Sequence, residues 1–164
     1  SGTNFSFFVN LNNFSKIIGI YKFQKNFKCL LVSKYSKGFV YYIDTISKIQ
    51  KNGKQIFKLK KDDKLIKTVS PLKNLMATIS SFGKLLIFNI NEIPVLKKSG
   101  GVILQKIKDG QLSDIKLFEK KEGLEWFIGK QLRKEFNFTS WVGKRAQVGK
   151  KAPKRFNKDL KFKN

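Results

Sequence analysis

Ile56-Phe57-Lys58-Leu59-Lys60-Lys61-Asp62 carries apolar side chains at 57 and 59 and lysines at 58 and 60. A two-residue alternation puts one set on each face of a pleated ribbon, which is the pattern of a half-buried β-strand. The segment has two counterparts. Phe7-Phe8-Val9-Asn10-Leu11-Asn12-Asn13 precedes it and, with one residue of slippage, Ile103-Leu104-Gln105-Lys106-Ile107-Lys108-Asp109 follows it. A short apolar element comes next in each case, around Ile17-Ile18, Leu65-Ile66 and Leu112. Then come Leu30-Leu31-Val32, Leu75-Met76-Ala77, and Leu124 with Trp126 and Phe127, leading to Gly38, Gly83 and Gly129 respectively. A further strand pattern follows each glycine: Phe39 to Ile43, Leu85 to Phe88, and the weaker Gln131-Leu132.

The glycines recur at intervals of about 45 residues, a period that marks propellers and related arrays. Four strand patterns per period predict an all-β chain, a propeller-like array of four-stranded blades with repeats near 4–50, 51–98 and 99–143 and a basic tail over 144–164. Asn52-Gly53, Ser99-Gly100-Gly101 and Asp109-Gly110 supply the turns between strands. Three repeats are too few to close a ring of ~4 to 8 blades, so a larger array or an open arc is expected.

The 164 residues include 35 Lys and Arg against 11 Asp and Glu, with no His, for a net charge of +24. Such an excess repels itself in a compact domain unless a polyanion balances it, which points to nucleic acid. A membrane surface fits less well, because no basic amphipathic helix is present to lie in it, and no apolar run approaches the ~20 residues of a membrane span. Ser1-Gly2-Thr3 lacks the basic and apolar regions of a targeting segment. A soluble protein is the expectation. The single Cys, Cys29, sits in a strand pattern and reads as a buried structural thiol in a reducing compartment. Catalysis has little support. The absence of His removes the usual general base, no Cys or His cluster suits zinc, no Walker-type loop is present, and Asp62-Asp63 and Asp109-Gly110 read as turns.

One stretch resembles a known family. It runs from Gly83-Lys84-Leu85 through Glu92-Ile93-Pro94, Lys97-Lys98-Ser99-Gly100-Gly101-Val102-Ile103-Leu104-Gln105 and Lys108-Asp109-Gly110-Gln111-Leu112-Ser113-Asp114. It is similar to the C-terminal wrapping domain of ParC, the A-type subunit of bacterial topoisomerase IV, in its alphaproteobacterial form. Glu122-Gly123-Leu124-Glu125-Trp126, Trp141 to Gly149, and Pro153-Lys154-Arg155-Phe156 extend the likeness. The resemblance implies a β-pinwheel, in which neighbouring blades exchange a strand and DNA bends around a basic perimeter. It further implies that ATP and magnesium act elsewhere in the holoenzyme, that this chain is not an enzyme by itself and needs no cofactor, and that its partners are duplex DNA, the topoisomerase IV N-terminal domains and the B-type subunit. The setting implied is the bacterial cytoplasm, at the nucleoid. Gyrase A, the sister protein and an alternative assignment, carries a QRRGGKG box. The nearest segments here, Lys51-Asn52-Gly53-Lys54 and Lys97-Lys98-Ser99-Gly100-Gly101, do not match it.

Sequence-nonspecific binding needs phosphate neutralisation at the turns that punctuate the blades. Lys51, Lys54, Lys97, Lys98, Lys106 and Lys108 occupy such turns, and Lys144, Arg145, Lys150 and Lys151 begin the basic tail. The tail reads either as a solvated extension or as an electrostatic arm, with Trp141 and Phe156 as packing anchors; truncation after Gly143 would then separate arm from rim. Tyr41-Tyr42 fall in a strand pattern and are not expected to act as nucleophiles. A structural RNA-binding protein of ribosomal type remains open as a different class, which the lysine-rich composition suits equally.

Overall fold

A computed structural model describes residues 4–9, 27–43 and 54–164, and side chains within 28–42 and 56–164. Ile17-Ile18, Lys51 and Asn52-Gly53 lie outside the described residues. No α-helix occurs among the described residues; twelve strands and three short 3-10 turns account for the regular structure.

The strands are β1 (Asn4–Val9), β2 (Phe27–Ser33), β3 (Lys37–Ile43), β4 (Lys54–Lys60), β5 (Leu65–Val69), β6 (Leu75–Ser80), β7 (Lys84–Asn89), β8 (Val102–Ile103), β9 (Leu112–Phe118), β10 (Leu124–Ile128), β11 (Gln131–Glu135) and β12 (Lys150–Lys151). Two four-stranded sheets run in the orders β5-β2-β3-β8 and β12-β7-β6-β9, while β1-β4 and β10-β11 pair as two-stranded ribbons. Each four-stranded sheet is a tight hairpin, β2-β3 or β6-β7, flanked on both sides by strands from later in the chain. That is the exchanged-strand arrangement of a β-pinwheel.

The repeat is read most sharply from main-chain pairing. Leu30 faces Val69 and, 47 residues on, Ala77 faces Lys116. Both pairings carry a bulge at the same place, between Val32 and Ser33 and between Ile79 and Ser80. The parallel bridge Val40 to Val95 recurs as Ile87 to Val142. Both serine hydroxyls accept a main-chain N–H, Ser33 from Lys37 and Ser80 from Lys84. The hairpin turns fall at Ser36 (φ 66°), Gly83 (φ 76°) and Gly129 (φ 60°). Gly38, aligned with Gly83 in the sequence, is thus not the turn residue, and the 45-residue interval is a slip of two from the true step in the first repeat. Its backbone is instead approached closely by Gly101, where a Cβ would stand 2.9 Å from the Gly38 nitrogen.

The chain divides into two compact units, one of residues 1–33, 37–70 and 94–102 and one of 34–36, 71–93 and 103–164. The first packs Cys29, Leu31, Phe39, Ile56, Phe57 and Leu59 into a core, with Phe39 and Phe57 edge-to-face at 5.0 Å. Leu59 points inward and Lys58 and Lys60 outward, as the alternation requires. The second buries Ala77, Ile79, Leu85, Ile87, Phe118, Leu124, Trp126, Phe138 and Phe162. β6 is buried on both faces from Met76 onward, with Thr78 and Ser80 enclosed beside the apolar Met76, Ala77 and Ile79.

Residues 144–164, set apart in the sequence as a basic tail, are packed into this second unit. Leu160, Phe156 and Ala152 border its core. Trp126 Nε1–H donates to Arg155 O at 3.0 Å, its ring lies 5.1 Å from Phe156, and Trp141 Nε1–H donates to Lys151 O at 2.9 Å. The periodicity explains the path. Lys161-Phe162-Lys163 stands 47 residues after Asp114-Ile115-Lys116 of β9, and Lys163 N–H donates to Glu125 O on the outer edge of β10. The last turn of chain takes, against the third hairpin, the place that β9 takes against the second.

Candidate nucleic-acid interface

Of the ten basic residues singled out in the sequence, Lys51 lies outside the described residues, and Lys54 opens β4 with only its backbone described. Lys97 and Lys98 are exposed on a bend that is fastened at both ends: Leu96 N–H donates to Val40 O at 2.8 Å, and Ser99 N–H to Ile56 O at 3.0 Å. The second unit reproduces this setting one period later. Gly143 N–H donates to Ile87 O and Ala146 N–H to Leu104 O, and between them stand Lys144 and Arg145.

Lys144 is exposed, but the Arg145 side chain is committed to the main chain. Its Nε donates to Glu92 O at 2.7 Å and its Nη1 to Ile103 O at 2.8 Å, while its backbone N–H donates to the Glu92 carboxylate. A planar guanidinium suits such a two-carbonyl grip. Lys106 and Lys108 are exposed on the turn that reaches Asp109 at φ 58°. Lys150 and Lys151 form β12 on the free edge of β7, and both are exposed.

The carboxylates explain why these lysines stay uncompensated. Asp63 accepts from Ser33 Oγ, Asp114 from Phe162 N–H, Glu119 from the backbone and side chain of Asn74, and Glu135 from Asn137 N–H. Glu122 accepts Lys73 Nζ at 2.7 Å, and that ammonium holds its carboxyl below the usual range. Glu125 lies 3.7 Å from Lys134 and 3.8 Å from Lys163. Acidic groups are therefore tied to turns and edges. Lys97, Lys98, Lys106, Lys108, Lys144, Lys150 and Lys151 have no ion-pair partner among the described residues. Cationic side chains without counter-charges raise the local potential for a polyanion.

The family model described as DNA gyrase C-terminal domain, beta-propeller, matches residues 36–70 and 75–114. The A-type subunit of DNA topoisomerase 4 from Rickettsia bellii is 35% identical over 162 residues, 99% of this chain. Its Caulobacter vibrioides counterpart is 30% identical over 155 residues, 94% of the chain. Among solved structures, the E. coli ParC C-terminal domain superposes with a TM-score of 0.67 at 18% identity, covering 81% of this chain and 58% of that one. The gyrase A C-terminal domain gives 0.52 at 23% identity, over 63% and 37%. The chain belongs to the ParC family of topoisomerase IV, as a C-terminal domain.

It spans 22% of the length of the Rickettsia bellii relative and 20% of the Caulobacter vibrioides one. Within this topoisomerase IV domain, Tyr41 packs against the first core and Tyr42 lies opposite Lys28 in β3, so both tyrosines are parts of a strand. Sequence reasoning passed over three lysines that belong with the basic surface. Lys58 and Lys60 are exposed on β4, and their alternation with apolar residues, read only as a fold signal, also announced which way they point. Lys84 was the third. It stands directly opposite Lys151, and only the pairing of β12 with β7 reveals it.

Proposed function

We propose that this domain binds duplex DNA with little sequence preference and bends it, as an accessory, non-catalytic part of an ATP-dependent type IIA topoisomerase. One observation carries the reading. Exposed lysines without ion-pair partners among the described residues recur at the same place in the main-chain framework of each unit, Lys97-Lys98 in the first and Lys144 in the second, while Glu119, Glu122 and Glu125 are engaged elsewhere.

Ammonium groups that neutralise phosphates on one face of a duplex leave unbalanced repulsion on the other face, which lowers the cost of curving it. No base-edge recognition is required. In the holoenzyme this supports capture of the DNA segment to be transported and so the choice among supercoiled, catenated and relaxed substrates. ATP, magnesium and the cleaving residues belong to the N-terminal domains and the B-type subunit, and the site of action is the bacterial cytoplasm, at the nucleoid.

Competition between a short duplex and a structured RNA of equal charge tests the reading. Preference for the duplex, with a circular-permutation shift that reports bending, is the expected result. Equal or tighter binding of the RNA would overturn the reading.

A further inference from the structure

Lys84 and Lys151 face each other across a ladder only two residues long. β12 pairs with β7 through Lys150 opposite Leu85 and Lys151 opposite Lys84. Side chains of directly opposed residues in an antiparallel pair lie on the same face with Cβ atoms about 5 Å apart, where like charges repel. Neither ammonium has an ion-pair partner among the described residues. Two ladder positions are too few to hold such a pair unaided.

Gln105 supplies the restraint. It is fully buried, and its Nε2 donates to Lys84 O at 2.9 Å and to Val148 O at 2.8 Å, so one amide ties the start of β7 to the segment leading into β12. Its backbone N–H donates in turn to Ser36 Oγ at 2.9 Å. Gly149, at φ 85°, allows the close approach: a Cβ there would stand 2.6 Å from Leu85 O. Ala152 N–H, donating to Gly83 O, closes the far end. Among the described residues the buried Oε1 of Gln105 finds no partner, while both protons of its amide nitrogen are used on the two carbonyls.

We propose that Lys84 and Lys151 form a preorganised site for one backbone phosphate of bound nucleic acid, and that Gln105 is the positioning residue that builds it. The inference rests on the DNA-binding reading and adds its first specific contact. A phosphate between the two ammonium groups replaces their repulsion by two charge-assisted hydrogen bonds. The clamp makes that gain available without ordering either strand at the moment of binding.

The 164-residue chain is tested with a short duplex and, separately, with inorganic phosphate. Because the two ammonium groups share one phosphate, Lys84→Gln and Lys151→Gln together should lower the slope of log K against log salt by about one, each alone by no more than that. The double variant should make the loss of affinity between ~50 and ~200 mM salt roughly three- to fourfold smaller. Neither substitution should lower the melting temperature, because each removes a repulsion. Gln105→Met should weaken duplex binding as much as the lysine double variant, and adding the lysine changes to it should change little more.

If the parent chain binds duplex DNA and the lysine variants keep its salt slope, the site is wrong while the DNA reading stands. If the parent has no affinity for duplex DNA, both fall together. Saturable uptake of inorganic phosphate that depends on these lysines and that duplex DNA does not displace would also overturn the proposal, by making it a free-phosphate site. Should Gln105→Met fail to fold, the two lysine variants still decide the matter.

Discussion

Cys29 illustrates how one position in a strand acquires its chemistry from burial. Its side chain is enclosed with Phe39 and Phe57, its S–H directed at Leu30 O, and desolvation pushes the thiol from 9.0 up to about 12. The native protein should therefore resist a thiol-reactive dye at about pH 8 and react only in denaturant. Stoichiometric labelling of the native chain within minutes would contradict the buried placement. Because the unfolded thiol ionises first, its contribution to stability is complete below pH 9.0 and is lost as pH rises toward about 12. Arg145 is the opposite case, a cation whose donors face the main chain. Arg145→Ala should destabilise the second unit by about 2 kcal/mol, because the carbonyls of Glu92 and Ile103 lose charge-assisted partners. Arg145→Lys should restore little, since one ammonium cannot reproduce the planar grip. Urea midpoints would measure both.

Among elements, the segment after Gly143 behaves unlike the arm that its composition suggests. It supplies β12, the Arg145 fastening and the core side chain Phe162. Removing 144–164 should therefore unfold the second unit, seen as loss of dispersed amide signals, and would not cleanly separate an arm from a rim. Phe162→Ala alone should cost about 3 kcal/mol, the usual penalty for a large cavity in a packed core. A truncated chain that keeps its native spectrum would show that the packing of Phe156, Leu160 and Phe162 is dispensable.

For the molecule as a whole, binding should follow the charge. If ~6 phosphates are engaged, log K falls with log salt at a slope of roughly −5. Replacing Lys51, Lys54, Lys97 and Lys98 together with Ala should reduce that slope by up to about four and weaken binding equally on unrelated duplexes. The fold should survive, because lysine side chains contribute little burial. A variant that keeps both its slope and its DNA bending would place the contacts elsewhere on the basic surface. Salt-dependent mobility shifts and circular-permutation assays measure the two properties independently.

The sequence by itself determined the strands, their repetition and the sign of the net charge. Alternation at Phe57 to Lys60 is a property of near neighbours, which the pleat of a strand reads directly. The recurrence was legible too, but the sequence set Leu30-Leu31-Val32 against Leu75-Met76-Ala77, whereas main-chain pairing sets it against Ala77-Thr78-Ile79. The outward direction of Lys58 and Lys60 was legible in the same pattern. What the tertiary structure alone decided involves groups far apart in the chain. Ser36, not the expected Gly38, takes the turn, with its carbonyl and hydroxyl satisfied by Leu104 and Gln105. Arg145 is drawn from the basic surface by Glu92 and Ile103, and Lys151 is set against Lys84 by a buried amide at Gln105. The closing stretch becomes part of the core because β10 has an outer edge to satisfy and Phe162 has apolar area to bury. Periodicity specifies which face a residue occupies; which distant group meets it there is settled by the requirement that buried donors, acceptors and apolar surface all find partners.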